Sequence, residues 1–322
     1  MTEGRLYIVM YHYVRDLAHS RYPQIKGLEV ALFERQLKFF LEHFNIVRME
    51  QVLEAVEGNA TLPDKAVLLT FDDGYIDAFT FVLPLLERYK VQGSFFIPAK
   101  TFERHELLDV NKIHYILAAA DSQIPELLSD LKVRMDHYRG AEFDYPSTKE
   151  LWEQYAGASR FDTKEVIFIK RMLQTALPEK LRTQIAAELF EKYVGVTTTQ
   201  LSYELYLNHE QILTLKRHGM FIGVHGYDHY WLGNLPAQAM QQDISKALEL
   251  MADFIDPKHW VMNYPYGNYS PEVLDFIQAH GACLGLTTEP RAAHLETDHP
   301  LLLPRFDCND FPPKSGRYLE LG

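Results

Sequence analysis

The run Ala66-Val67-Leu68-Leu69-Thr70-Phe71, followed at once by Asp72-Asp73-Gly74, decides how the rest of the chain is read. A continuous apolar run that ends in Asp-Asp-Gly is the mark of a buried parallel strand running into a loop. Outward from it the same rhythm recurs. A helix is predicted over Tyr75–Tyr89 and a strand over Gly93–Pro98. Upstream, Leu6–Tyr13 reads as a strand and Ala31–Phe44 as a helix, because Leu32, Phe33, Leu37, Phe40, Leu41 and Phe44 recur at helical spacing. Downstream, Asn208 with Gln211 three residues on is a capping-box pattern opening a helix that stops at Gly219. Strands follow over Met220–Val224, His259–Tyr264, Cys283–Thr287 and Leu301–Phe306, with helices over Ala237–Phe254 and from Ser270-Pro271 to Gly281.

This alternation predicts an α/β fold of parallel βα units. Residues 101–207 break it. Asn111–Ala120, Pro125–Leu131 and Thr163–Val194 look helical, no convincing strand lies among them, and the aromatic-rich stretches Asp136–Tyr145 and Tyr203–Tyr206 punctuate them. Because the chain leaves and re-enters one pattern, a helical insertion 101–207 within a single barrel 1–322 is expected. A length of 322 residues suits one large α/β barrel as well as two ordinary domains.

Composition narrows the function classes. Lys and Arg number 32 against 44 Asp and Glu, a net charge of −12, which disfavours a general nucleic-acid binder and a polybasic membrane-surface protein. The longest apolar runs, such as Phe79–Leu86, fall far short of the ~18 residues of a membrane span. The N-terminus lacks the basic, then apolar, then small-residue order of a secretory signal. Cys283 and Cys308 are too few for a disulfide framework. A reduced, cytoplasmic protein is expected.

Two clusters carry the chemistry. Thr70-Phe71-Asp72-Asp73-Gly74 ends the strongest strand, and His225-Gly226-Tyr227-Asp228-His229 ends another. In a βα barrel, strand C-termini line one face, so these groups can meet. Successive strand residues point to opposite sides, which argues against both aspartates binding one ion. One carboxylate and two imidazoles make a three-ligand site with a position left for water, the usual catalytic zinc arrangement. The other carboxylate is then free to act as general base on that water. The residues alone leave open which aspartate does which.

TFDDG, His-x-x-x-His and the later Tyr264-Pro265-Tyr266-Gly267 resemble the polysaccharide deacetylase family, carbohydrate esterase family four, over about 5–100 and 208–310. The resemblance implies a distorted (β/α) barrel of about seven strands and a metal-dependent hydrolase acting on acetylated sugars. By that resemblance Asp72 is the general base, Asp73, His225 and His229 are the metal ligands, and the backbone N–H of Tyr266 helps the metal stabilise the oxyanion. Zinc is the first expectation, with Ni2+, Co2+ or Fe2+ fitting similar ligands.

The departures from the family pattern are specific. Asn263 stands where an arginine usually orients the catalytic aspartate. Arg305, in Leu303-Pro304-Arg305-Phe306-Asp307, is the candidate to replace it and is also counted among the substrate-binding groups. The family's late Leu-x-His motif has no clean match. His12, at the end of the first strand, is the favoured active-site histidine over His294 and His299 in a polar loop. Trp231 is the candidate sugar platform, Asp228 is expected as an ordinary turn carboxylate with support of a ligating histidine as the alternative, and Asp307 and Asp310 are expected in surface loops. The reaction expected is deacetylation of an N-acetylated sugar, a precursor or oligosaccharide of surface-polysaccharide assembly. The rivals are an amidase on a non-sugar amide or cyclic imide, and a catalytically weak barrel that binds glycan.

Overall fold

The computed structural model describes residues 5–140, 142–159 and 162–321, so the aromatic stretch 136–145 contains one position, 141, outside them. The chain divides into two compact units, Met1–Asp16 with Gly27–His105 and Glu204–Gly322, and Leu17–Lys26 with Glu106–Tyr203.

The first unit is built on parallel strands β1 (Arg5–Tyr11), β2 (Ala66–Phe71), β3 (Ser94–Ile97), β4 (Phe221–Val224), β5 (Trp260–Asn263) and β6 (Ala282–Leu286), side by side in that order. β7 (Ala293–His294) lies antiparallel on the other side of β1, which completes a path of seven strands. β8 (Phe306–Asp307) pairs with β1 at Val9 and Met10, while Leu303 bridges to Leu286 of β6. The segment Leu303–Asp307 therefore spans the seam between the two ends of the curled sheet. This is the distorted (β/α) barrel anticipated above.

Strand alternation sorts the side chains into two cores. Leu6, Ile8, Ala66, Leu68, Phe96, Val261, Leu284, Leu286 and Leu303 cluster together, and the intervening Val9, Tyr11, Val67, Leu69, Phe71, Phe95 and Met262 belong to the larger cluster that includes the helices. The first set fills the barrel. On the opposite face, packing against the larger cluster requires glycine at Gly285, between Leu284 and Leu286: a Cβ there would lie 2.2 Å from the Leu301 carbonyl oxygen and 2.7 Å from the Tyr264 hydroxyl. Backbone cannot yield as a side chain can, so Gly285→Ala is expected to destabilise the unit by about 1–3 kcal/mol, read as a lowered urea midpoint.

Three elements differ from expectation, each for a local reason. The strand expected over Leu301–Phe306 shrinks to Phe306–Asp307, with a 3-10 turn over Pro300–Leu302, because Pro300 and Pro304 cannot donate to a ladder. The helix expected from Tyr75 opens as a wide π turn, Ala78–Val82, and becomes α-helical over Leu83–Tyr89, with Pro84 in the first turn. Strand β1 stops at Tyr11, two residues early.

The second unit is helical, with Asp109–Ala119, Ile124–Tyr138, Lys164–Arg171 and Glu179–Val194 among its helices, and has no strand among its described residues. Leu127, Leu131, Met135, Phe168, Leu181, Ile185 and Leu189 are buried in it. The unit overlaps the expected insertion and also takes in Leu17–Lys26, where the Tyr22 hydroxyl donates to the Val194 carbonyl at 2.7 Å. Cys283 and Cys308 are unpaired thiols.

Candidate active site

The residues that fill the barrel are continued, at the C-terminal ends of the strands, by polar residues in the same alternation. Leu6 and Ile8 lead to His12, Leu68 leads through Thr70 to Asp72, Val261 leads to Asn263, and Leu303 leads to Arg305. Asp72, Asn263 and Arg305 are buried, while His12 is exposed. One rule of strand geometry thus builds both the core and the polar group above it.

Asp73, His225 and His229 are buried, and one ligand atom from each lies within 4.8 Å of the others. The His225 and His229 Nε2 atoms stand 3.3 and 3.2 Å from Asp73 Oδ1. His225 Nδ1 meets the Asn263 carbonyl oxygen at 2.6 Å. A carbonyl only accepts, so Nδ1 carries the proton, and a neutral ring turns a bare Nε2 towards the carboxylate. Asp73 Oδ1 has no hydrogen-bond partner despite its burial. Burial opposes the charge on Asp73, but the two facing imidazoles outweigh it and hold the carboxyl well below its ordinary range. Burial pushes the His229 imidazole down, which favours its neutral, ligating form. Tetrahedral ligands at ~2.1 Å from one ion are about 3.4 Å apart, close to the spacings here. The donor set therefore fits a divalent cation. Asp73 Oδ2 accepts from the Tyr75 hydroxyl at 2.6 Å, which leaves Oδ1 as the ligand atom.

Asp72 is not one of the clustered ligands and is held by a separate set of partners. Of the two aspartates only Asp73 joins the ligand cluster; it has left the strand and sits at φ 71°, so strand alternation is not what separates them. Arg305 NH1 and NH2 donate to the two Asp72 oxygens, each at 2.9 Å, and Asn263 Nδ2 donates to Oδ1 at 2.7 Å. Arg305 NH2 also reaches Asn263 Oδ1, and its Nε donates to the Thr287 carbonyl. Burial raises the Asp72 carboxyl, the Arg305 guanidinium overrides it, and the group lies below its ordinary value. Asn263 and Arg305 together occupy the place of the single expected arginine. Arg305 is only 1% exposed and its donors are directed into this network, so, contrary to expectation, it supports Asp72 and is not a substrate-binding group.

His12 Nε2 stands 3.9 Å from Asp72 Oδ2 with its side chain 41% exposed, so it borders the carboxylate on the open side. Trp231 is half-buried and stacks on Tyr266 at 4.4 Å between ring centroids, and the Tyr266 ring meets His229 edge-on at 4.7 Å. One face of the Trp231 indole is therefore covered by Tyr266. Tyr266 and His229, at φ 59° and 57°, share the left-handed backbone of Asp73. Such residues cost of order 1–3 kcal/mol each and gather where function demands a fixed geometry.

A sequence profile described as Polysaccharide deacetylase matches residues 59–134 and 179–284, more than half of the chain. The chain belongs to the polysaccharide deacetylase family. Among curated proteins, YxkH of Bacillus subtilis is 30% identical over 93 residues, and the poly-beta-1,6-N-acetyl-D-glucosamine N-deacetylase of Escherichia coli K12 is 32% identical over 83. These alignments span 29% and 26% of this chain, and 33% and 12% of the relatives. The fold resembles that of Streptococcus pyogenes deacetylase PplD in complex with acetate, with a TM-score of 0.59 at 16% identity, covering 99% of both chains. It also resembles IcaB from Ammonifex degensii, with a TM-score of 0.57 at 17% identity, covering 98% of this chain and 95% of that one.

Within this polysaccharide deacetylase barrel, two supporting residues escape a reading of motifs. Tyr75 holds Asp73, as described. Asp243, on the helix Ala237–Met251, accepts the backbone N–H of Tyr227 and of Asp228, both at 2.9 Å. Burial pushes its carboxyl up to about 6. The signal was available: Asp243 shares a helix face with buried Met240 and Ala247, an odd place for a carboxylate. Asp228 supports no histidine, because Lys100 Nζ donates to both its carboxylate oxygens. Asp310 is buried near Arg317 rather than lying on a surface loop, and Asp307 caps the turn at Asn309.

Proposed function

We propose that this chain is a metal-dependent hydrolase that removes acetyl groups from an N-acetylated sugar polymer. The observation that carries the reading is the convergence of Asp73 Oδ1, His225 Nε2 and His229 Nε2 beside an ion-paired carboxylate, Asp72. A divalent cation held by that trio, zinc being the first candidate, supplies Lewis acidity that polarises an acetyl carbonyl and lowers the pKa of a coordinated water towards ~7. Asp72 takes the proton from the attacking water. Its Oδ1 already accepts from Asn263 and Arg305, whereas Oδ2 accepts from Arg305 alone, so Oδ2, on the His12 side, is the receiving atom. Arg305 and Asn263 keep that carboxylate ionised and aimed. The N–H of Tyr266 helps hold the developing oxyanion, and His12 returns a proton to the departing amine. The exposed face of Trp231 carries a sugar ring.

The substrate class is a polymer of N-acetylglucosamine type. This rests on family membership and on the named activity of the Escherichia coli relative. The test is acetate release from N-acetylglucosamine oligomers, from acetylated monosaccharides and from cyclic imides, before and after chelation. Acetate release from the oligomers, abolished by chelator and restored by added divalent metal, is the expected result. Ring opening of imides without acetate release identifies an amidase, and binding of oligomers without turnover identifies a glycan-binding barrel. Either outcome overturns the proposal, as does chelator-insensitive activity.

A further inference from the structure

We infer that Asp243 is a positioning residue that sets the metal affinity of the Asp73–His225–His229 cluster by fixing the loop between the two histidines. The inference rests on the metal-dependent reading above.

The two histidines are secured very differently. His225 follows β4 directly, and its Nδ1 is pinned to the Asn263 carbonyl. His229 has no such anchor: its Nδ1 is buried and has no hydrogen-bond partner. The direction of the His229 ring therefore depends on packing against His225 and Tyr266 and on the backbone that carries it. That backbone, residues 226–228, has no regular secondary structure to define it. What defines it is a pair of clamps. The carbonyls of Gly226 and Tyr227 accept from Ala99 and Lys100 N–H at 3.1 Å, at the start of the helix Ala99–Glu103. From the other side, the Tyr227 and Asp228 N–H groups donate one to each oxygen of Asp243.

Two further observations mark this contact as specific. Asp243 is buried on the apolar face of its helix, where an unpaired carboxylate is costly and an aliphatic residue would pack at no such penalty. Of the cations at the loop, Lys100 is directed to Asp228 and Lys246 lies over the Tyr227 ring, 3.7 Å from its centroid. At Gly226, with φ +70°, a Cβ would come within 3.0 Å of Asp243 Oδ2, so the loop approaches the carboxylate as closely as a residue without a side chain permits. A carboxylate supplies two acceptors at this spacing, and an amide of the same shape supplies one acceptor and a donor that opposes the second N–H.

The experiment is a zinc titration of the full-length apoprotein against a chromophoric chelator, for wild type, Asp243→Ala and Asp243→Asn. Circular dichroism at the same temperature establishes that each is folded. Lys100→Met, which leaves both Asp243 contacts intact, is the control. Asp243→Ala is expected to weaken zinc binding about 10–100-fold, Asp243→Asn by less, and Lys100→Met least. A structural role alone would lower the unfolding temperature and leave zinc affinity unmoved, and that result overturns the inference. Should Asp243→Ala fail to fold, Asp243→Asn decides, since wild-type affinity in that variant is equally fatal. Wild type that takes up no zinc or other divalent metal defeats the metal-dependent reading itself. Tight uptake by wild type, matched by the variants, defeats only this inference.

Discussion

Asp72→Asn is expected to lower kcat for acetate release by about 10²–10⁴-fold, the range for loss of a general base. Asparagine has the shape of aspartate and retains one oxygen for the Asn263 and Arg305 donors, but it cannot accept the proton of the attacking water. The metal cluster takes nothing from Asp72: its ligand atoms come from Asp73, His225 and His229, and the second Asp73 oxygen is held by Tyr75. Metal content measured by mass spectrometry should therefore equal that of wild type, and KM should change little beside kcat. Near wild-type turnover in a variant with full metal content would remove Asp72 from the chemistry.

Arg305→Ala is expected to destabilise the barrel by about 3–5 kcal/mol, the range for deleting one partner of a buried ion pair. Both members of the pair are buried, with side chains 1% and 3% exposed, so water cannot replace the lost guanidinium. The same substitution removes donors to the Thr287 carbonyl and Asn263 Oδ1, which widens the damage beyond Asp72. Arg305→Lys should recover part of the stability and less of the turnover, because an ammonium supplies charge without the planar fork that reaches both Asp72 oxygens. Urea unfolding measures the first quantity and acetate release the second. A variant as stable as wild type would show that the network around Asp72 is not what the contacts imply.

How much of this was legible beforehand varies with the range of the interactions. β2 was read with its observed limits, Ala66–Phe71, because an uninterrupted apolar run needs no partner to be recognised. The cap at Asn208 was equally local, and its reciprocal bonds with Gln211 are present. Asp72, Asp73, His225 and His229 were found as motifs at strand ends, and the fold brings the last three together. Their geometry was another matter. The left-handed backbone of Asp73 and the approach of His225 and His229 to its carboxylate join residues about 150 positions apart, beyond the range of any local pattern. Arg305 admits two roles from sequence, since nothing near it reveals that its partners include Thr70 on β2 and Asp72 just beyond it. Asp243 escapes sequence reading because a polar residue within Gln241-Gln242-Asp243 looks solvent-facing unless the buried Met240 and Ala247 are considered beside it. The docking of Leu17–Lys26 with the helical unit left no mark in composition or periodicity.

The seam spanned by Leu303–Asp307 has a consequence for how the protein is made. Arg305 lies 233 positions after Asp72, so at ribosomal rates of ~5–20 residues per second the carboxylate emerges on the order of 10–50 s before its counter-charge. Until then β1 and β6 are not joined by Leu303–Asp307, and Asp72 has the Asn263 amide but no counter-charge. Closure of the sheet and neutralisation of the buried Asp72 carboxylate are thus one step, made by the same five residues.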